Sequence, residues 1–253
     1  MPDVIVSLTT WKGRIFHPNF PKNLVSLIRQ ETKFAHRVVL VLSREEFGYE
    51  FELPSQVQML ADKCPNFEVL WTYWNTKALK NYNPTQQKYP GLPIIVVGDD
   101  TIYCPDLVET VMTDYLNSDR KTALAAMVAR YGDLAVPWRI RLFPPNCMAD
   151  FDEGLFMKYF NGHNDLFYAA RLLAKGTRVE KMDWDGLWYH ATAFAQNVRM
   201  LDYRKVPEYK MFTDFMRKFP ALFHTNKFNC PLEARDRLQT GFSAYCKAAS
   251  GRS

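Results

Sequence analysis

Two acidic residues, Asp99 and Asp100, follow directly on the apolar run Leu92-Pro93-Ile94-Ile95-Val96-Val97-Gly98, and Thr101-Ile102-Tyr103 closes the segment. Adjacent carboxylates are hard oxygen ligands of the kind Mg²⁺ or Mn²⁺ takes, usually together with phosphate oxygens. Gly-Asp-Asp is also ordinary turn chemistry, so a solvated turn is the competing reading of this segment taken alone. A second acid, Asp165, stands at the start of Leu166-Phe167-Tyr168-Ala169-Ala170-Arg171-Leu172-Leu173-Ala174-Lys175-Gly176. Either Asn164 or Asp165 is expected at the N-cap of that helix, where free amides and the helix dipole favour a carboxylate. Such a residue is a cap on one reading and a general base facing a cleft on the other. Arg14, Lys77 and Lys80 are cations that can meet phosphates or lie on a solvated face. His190, within Trp188-Tyr189-His190-Ala191-Thr192, is a further metal ligand, an acceptor contact, or a packed or surface histidine.

These residues need elements to position them. The β-branched run before Asp99 reads as a strand buried on both faces of a parallel sheet. Carboxylates at its carboxyl end would stand where open α/β sheets bind ligands. Strands are also expected at Val4–Leu8, Arg37–Ser43 and Phe67–Trp71, and again from Arg178. Helices are expected near Pro21–Gln30 and Pro54–Lys63, after Pro105, and from Asp165 to the Gly176 stop. Thr122–Ala129 is apolar, and its place after a helix favours a strand. Alternation of this kind implies one Rossmann-like, mostly parallel sheet flanked by helices. Composition shifts to aromatic and basic helices after about residue 183. We therefore divide the chain into a catalytic domain, 1–183, and a helical C-terminal extension packing on it, 184–253.

Composition narrows the function classes. A chain of 253 residues with 47% hydrophobic and 23% charged residues has the make-up of an ordinary soluble protein with one good-sized core. A net charge of +5 suits an anionic substrate or membrane surface and is too small to argue for nucleic acid. Five cysteines, odd in number and without a CxxC pair, argue against a zinc knuckle or a disulfide framework and favour a reducing cytoplasm. No signal peptide is expected before Val4, and no apolar run approaches the ~20 residues of a membrane helix.

Three stretches together resemble the nucleotide-sugar-dependent glycosyltransferases of the GT-A fold, closest to bacterial polysaccharide and lipooligosaccharide transferases. Val4-Ile5-Val6-Ser7-Leu8-Thr9-Thr10-Trp11-Lys12-Gly13-Arg14-Ile15 is similar to the family's opening strand and nucleotide-binding loop. Lys77 through Lys80, Pro84 and Lys88-Tyr89-Pro90 into Gly98-Asp99-Asp100 resembles a basic helix followed by the metal-binding Asp-x-Asp region. Asp165, Arg171, Leu172 and Gly176 keep the spacing of a helix whose Asp is the base in inverting members. The resemblance implies metal-dependent, inverting transfer of a sugar from a nucleotide-diphosphate sugar to a hydroxyl of a glycan or lipid-linked acceptor. It implies donor contacts from Thr9, Arg14, Lys77, Lys80, Asp99 and Asp100, with Mn²⁺ or Mg²⁺ held by Asp100 and Asp99, and Asp165 as base; His190 stays a further candidate metal ligand on its residue type alone.

The chain departs from that pattern at Gly98, where relatives commonly carry the first Asp, and at Asn164, where they carry Glu. Leu134–Asp150 is expected to be a shortened, Pro-rich acceptor-side loop. A sugar-phosphate nucleotidyltransferase would share the sheet and the carboxylates, but the single glycine of Thr9–Arg14 is unlike its Gly-rich loop. A catalytically degenerate nucleotide-sugar-binding protein is the other alternative, and Gly98 leaves room for it. From Tyr203 to Phe228, basic residues alternate with Tyr209, Phe212, Phe215, Phe219 and Phe223. That pattern fits either an interfacial helix on the inner face of the plasma membrane or a helical lid over the catalytic domain.

Overall fold

A computed structural model describes residues 1–131, 133–150 and 164–182. The strands are β1 (Val4–Thr9), β2 (His36–Ser43), β3 (Phe67–Thr72), β4 (Ile94–Val96), β5 (Ala123–Tyr131), β6 (Leu134–Phe143) and β7 (Val179–Lys181). The helices are α1 (Phe20–Ile28), α2 (Arg44–Phe47), α3 (Ser55–Lys63), α4 (Asn83–Lys88), α5 (Leu107–Asn117) and α6 (Asn164–Lys175), with a 3₁₀ turn at Lys77–Asn81. All seven strands form one sheet in the order β3-β2-β1-β4-β6-β5-β7. β1 pairs in parallel with β2 and β4, β2 with β3, and β5 with β7, while β6 runs antiparallel to both its neighbours. The expected mostly parallel α/β sheet is the one observed.

Alternation along β1 builds both faces. Val4, Val6 and Leu8 join Leu24, Leu27 and Ile28 of α1, Val57 and Leu60 of α3, and Val108, Val111 and Met112 of α5 in one core. The intervening Ile5 faces the other core, with Val39, Val96, Tyr82 and the residues of α6 from Leu166 to Leu172. Ser7, also on that second face, is fully buried and satisfied by the Thr85 hydroxyl of α4 at 2.8 Å. In α1 the buried residues Phe20, Leu24, Leu27 and Ile28 recur at helical spacing behind a first-turn proline. Each side chain of this size contributes ~1.5–3 kcal/mol when fully buried.

Helix α6 ends as its sequence demands. Gly176 adopts φ +78, Thr177 N–H reaches Leu172 O at 2.9 Å and Gly176 N–H reaches Leu173 O at 3.0 Å. That is the six-to-one, five-to-two pair of a left-handed glycine stop.

One expectation is corrected. Leu134–Phe143 is not an acceptor-side loop but a ten-residue strand, β6, buried over most of its length. Pro137 disguises the strand in the sequence, because proline is rare in a central strand. At that position β6 pairs only with β5, opposite Val128, and β4 is reached later, at Arg141–Phe143. Residues 184–253, including His190 and the Tyr203–Phe228 stretch, lie outside the described residues, and so does the expectation of a helical extension there.

Candidate functional site

The chain runs from β1 outward to β2 and β3, then returns to place β4 on the other side of β1. Such a reversal opens a crevice at the carboxyl ends of the two strands that flank it. The cleft found there has a volume of about 310 Å³ and is lined by Thr9, Thr10 and Arg14 beyond β1, Glu46 beyond β2, and Asn75, Lys77 and Lys80 beyond β3. Gly98 and Asp99 beyond β4, with Arg141 and Asn164, complete it. Thr9, Arg14, Lys77, Lys80 and Asp99, scattered over ninety residues of sequence, thus meet in one place.

Each side chain has a definite setting. Arg14 and Asp99 form an ion pair in which the two side chains are 12% and 11% exposed. Burial raises the Asp99 carboxyl above its usual range, the Arg14 guanidinium pulls it back down, and Asp100 beside it pushes it up again. Lys80 lies on no solvated face: its ammonium reaches Asn75 Oδ1 at 2.9 Å and Glu46 at 3.3 Å. Burial lowers its pKa, and the carboxylates of Glu46 and then Asp99 counter that shift. Lys77 is exposed at the cleft mouth with φ 51, an uncommon conformation for a non-glycine residue, and Asn75 Oδ1 accepts its N–H at 3.1 Å. The Thr9 hydroxyl is already donated to Val41 O at 2.7 Å, which ties the loop to β2.

The loop bearing the acidic pair is clamped from two sides. Tyr103 Oη accepts the Gly98 N–H at 2.8 Å and donates to Gly98 O at 3.0 Å. Fully buried Asn23 of α1 donates to Gly98 O at 3.2 Å and also to Thr101 O. Asp100 folds back over Gly98, so that a Cβ at position 98 would meet Asp100 Oδ1 at 3.0 Å and Tyr103 Oη at 3.6 Å. The glycine therefore makes room for the carboxylate two residues on. Where the loop holds a divalent cation, as the sequence resemblance implies, Gly98→Asp, which writes the missing first acid into the loop, is expected to weaken Mn²⁺-dependent nucleoside-diphosphate binding rather than strengthen it. Titration calorimetry measures this, and tighter binding would refute the steric account.

Asp165 does not project as an isolated cap. It lies in the first turn of α6, with its side chain 23% exposed, and pairs with Arg141 of β6. Arg171, singled out in the sequence, is buried and donates to Ala149 O at 2.7 Å and to Asn83 Oδ1, joining α6 to the segment below the cleft. Tyr168, from the same helix, donates to Asn81 Oδ1.

Sequence reasoning missed Glu46, Asn75 and Arg141. Glu46 was signalled by its place just beyond the end of a buried strand. Arg141 was masked by the loop reading of its segment, though Ile140-Arg141-Leu142-Phe143 alone has the composition of a strand. His190 lies outside the described residues. Among the described residues, no three His, Cys, Asp or Glu side chains gather as a metal cluster. The donor set that fits a divalent cation is the Asp99–Asp100 pair, because such ions are commonly held by one or two carboxylates with the remaining positions filled by phosphate oxygens.

No protein-family model matches the sequence, and no curated protein matches it. Solved structures do resemble it. One is the mannosyltransferase PcManGT from Pyrobaculum calidifontis in complex with GDP-Man and Mn²⁺, with a TM-score of 0.56 at 15% identity over 100% of this chain and 76% of that one. Another is TarS 1–349 from S. aureus in complex with UDP, with a TM-score of 0.58 at 10% identity over 97% of this chain and 72% of that one. The same TarS fragment in a second structure gives 0.56 at 11% identity, over 97% and 71%. The fold is GT-A-like, shared with these structures.

Proposed function

We propose that this chain is a metal-dependent glycosyltransferase that moves a sugar from a nucleotide-diphosphate donor to a hydroxyl of a glycan or lipid-linked acceptor, with inversion. The observation that supports the proposal is a switch-point cleft bordered by one carboxylate, Asp99, and by Arg141, the ion-pair partner of a second, Asp165. Asp99 borders the cleft beyond β4, and Arg141 of the neighbouring β6, which also lines it, is paired with Asp165. Support comes from the likeness in fold to a mannosyltransferase solved with GDP-Man and Mn²⁺ and to TarS solved with UDP.

Roles follow from the settings of the residues. Asp100 has no ion-pair partner among the described residues and is the better placed to hold Mn²⁺ or Mg²⁺, with Asp99 beside it. The chemistry that a divalent cation supplies at such a site is neutralisation of charge developing on the departing diphosphate. Arg14 keeps Asp99 in place, and Lys77 at the mouth is set to meet phosphate. Lys80 is committed to Glu46 and Asn75 and shapes the cleft from below. Asp165 takes the proton of the acceptor hydroxyl as that oxygen attacks the anomeric carbon from the face opposite the leaving group.

A lipid-linked acceptor would bring the chain to the cytoplasmic face of the plasma membrane as a peripheral protein. No helix among the described residues is long and apolar enough to cross a membrane. The test is a thermal-shift series with UDP and GDP, each with and without Mn²⁺, followed by assay of UDP- and GDP-sugars for release of nucleoside diphosphate. Ligand at 100 times its Kd stabilises by about 2.7 kcal/mol, a clear rise in melting temperature. Absence of any shift with either nucleotide would overturn the reading, and binding without donor turnover would mark a degenerate site.

A further inference from the structure

Arg141 reaches the cleft through a detail of topology. In the antiparallel β4–β6 ladder Arg141 pairs with Val96, two residues before Gly98, so the strand sets its side chain beside the acidic loop. The side chain is 7% exposed and its guanidinium stands 5.4 Å from the centre of the Tyr168 ring. One terminal nitrogen bonds Asp165. Nε is buried without a hydrogen-bond partner among the described residues, although the residue lines the cleft. A buried guanidinium N–H left unpaired carries a desolvation penalty that an arriving acceptor removes. The other buried cations of the cleft are differently placed, since Arg14 is bound to Asp99 and Lys80 to Glu46.

We propose that Arg141 contacts substrate as well as Asp165: its guanidinium binds an anionic oxygen of the donor diphosphate while one nitrogen keeps Asp165 in place. A planar fork of five N–H donors can serve two acceptors at once, which an ammonium does less well. The residue would then tie donor occupancy to the position of the base. This deepens the glycosyltransferase reading and rests on it for the identity of the anion.

The experiment is calorimetric titration of UDP, GDP and inorganic pyrophosphate, each with Mn²⁺, into the full chain and three variants: Arg141→Gln, Asp165→Asn and the double variant. The double variant removes both charges together, so that neither is left buried without a partner. Loss of a hydrogen bond to a charged group predicts about 10- to 100-fold weaker anion binding in Arg141→Gln and in the double variant. Asp165→Asn is expected to bind at least as tightly as the wild type, since it frees the guanidinium. Wild-type affinity in both Arg141→Gln and the folded double variant would overturn the inference. Restoration of affinity in the double variant would overturn it too, by tracing the loss to an uncompensated Asp165. If pyrophosphate binds in an Arg141-dependent way but neither nucleotide does, the inference stands and the donor reading falls. If the wild type binds none of the three, both fall.

Discussion

Replacing Asp165 by Asn is expected to cut sugar transfer ~10²–10⁴-fold, the usual contribution of a general base. For a residue that only caps a helix, stability would hardly move, because an amide serves a helix start nearly as well as a carboxylate. The structure changes that expectation. Asp165 is the partner of a largely buried Arg141, and the substitution leaves that guanidinium without its charge. Loss of a hydrogen bond to a charged group costs about 1.5–3 kcal/mol, and the partial exposure of Asp165 puts the cost near the lower end. A fall of a few degrees in melting temperature should therefore accompany the loss of rate. The measurement is turnover per folded molecule with the melting curve beside it. Near-normal turnover with a large drop in melting temperature would make Asp165 a structural residue.

Asp100→Ala is expected to weaken Mn²⁺-dependent binding of nucleoside diphosphate by at least about 100-fold, beyond the 10–100-fold that an outer-shell loss costs. The fold should tolerate it. Asp100 lies in a loop whose backbone is held by Tyr103 and Asn23, not by its own side chain, whose one hydrogen bond among the described residues is a 3.3 Å contact from the Thr101 hydroxyl. Comparison of UDP and GDP affinity with and without Mn²⁺ isolates the metal-dependent part. Binding that keeps its Mn²⁺ dependence in the variant would remove Asp100 from the metal site and leave Asp99, already bound to Arg14, as the sole carboxylate.

The sequence by itself determined the sheet and where its chemistry should stand. Continuous apolar runs such as Val38–Leu42 and Ile94–Val97 are legible because a strand buried on both faces tolerates little else. The stop at Gly176 is legible because the last turn of a helix needs a left-handed residue. The same rule that places ligands at the carboxyl ends of strands pointed to Asp99 and Asp100 before any contact was known. What the sequence left undecided lies in the partnerships.

Lys80 reads equally well as a surface lysine, and only packing of its 3₁₀ turn against β1 and β2 buries it beside Glu46. Gly98 reads as a missing acid, and only the fold of the loop shows that Asp100 occupies the space. The partnership of Arg141 gave no signal, because its meeting with Asp165 requires β6 to run antiparallel beside β4, and strand order is a property of the whole chain. Local pattern is fixed by backbone geometry and burial within a few residues. An ion pair between residues 24 or 85 positions apart is fixed by tertiary packing alone, as Arg141–Asp165 and Arg14–Asp99 show.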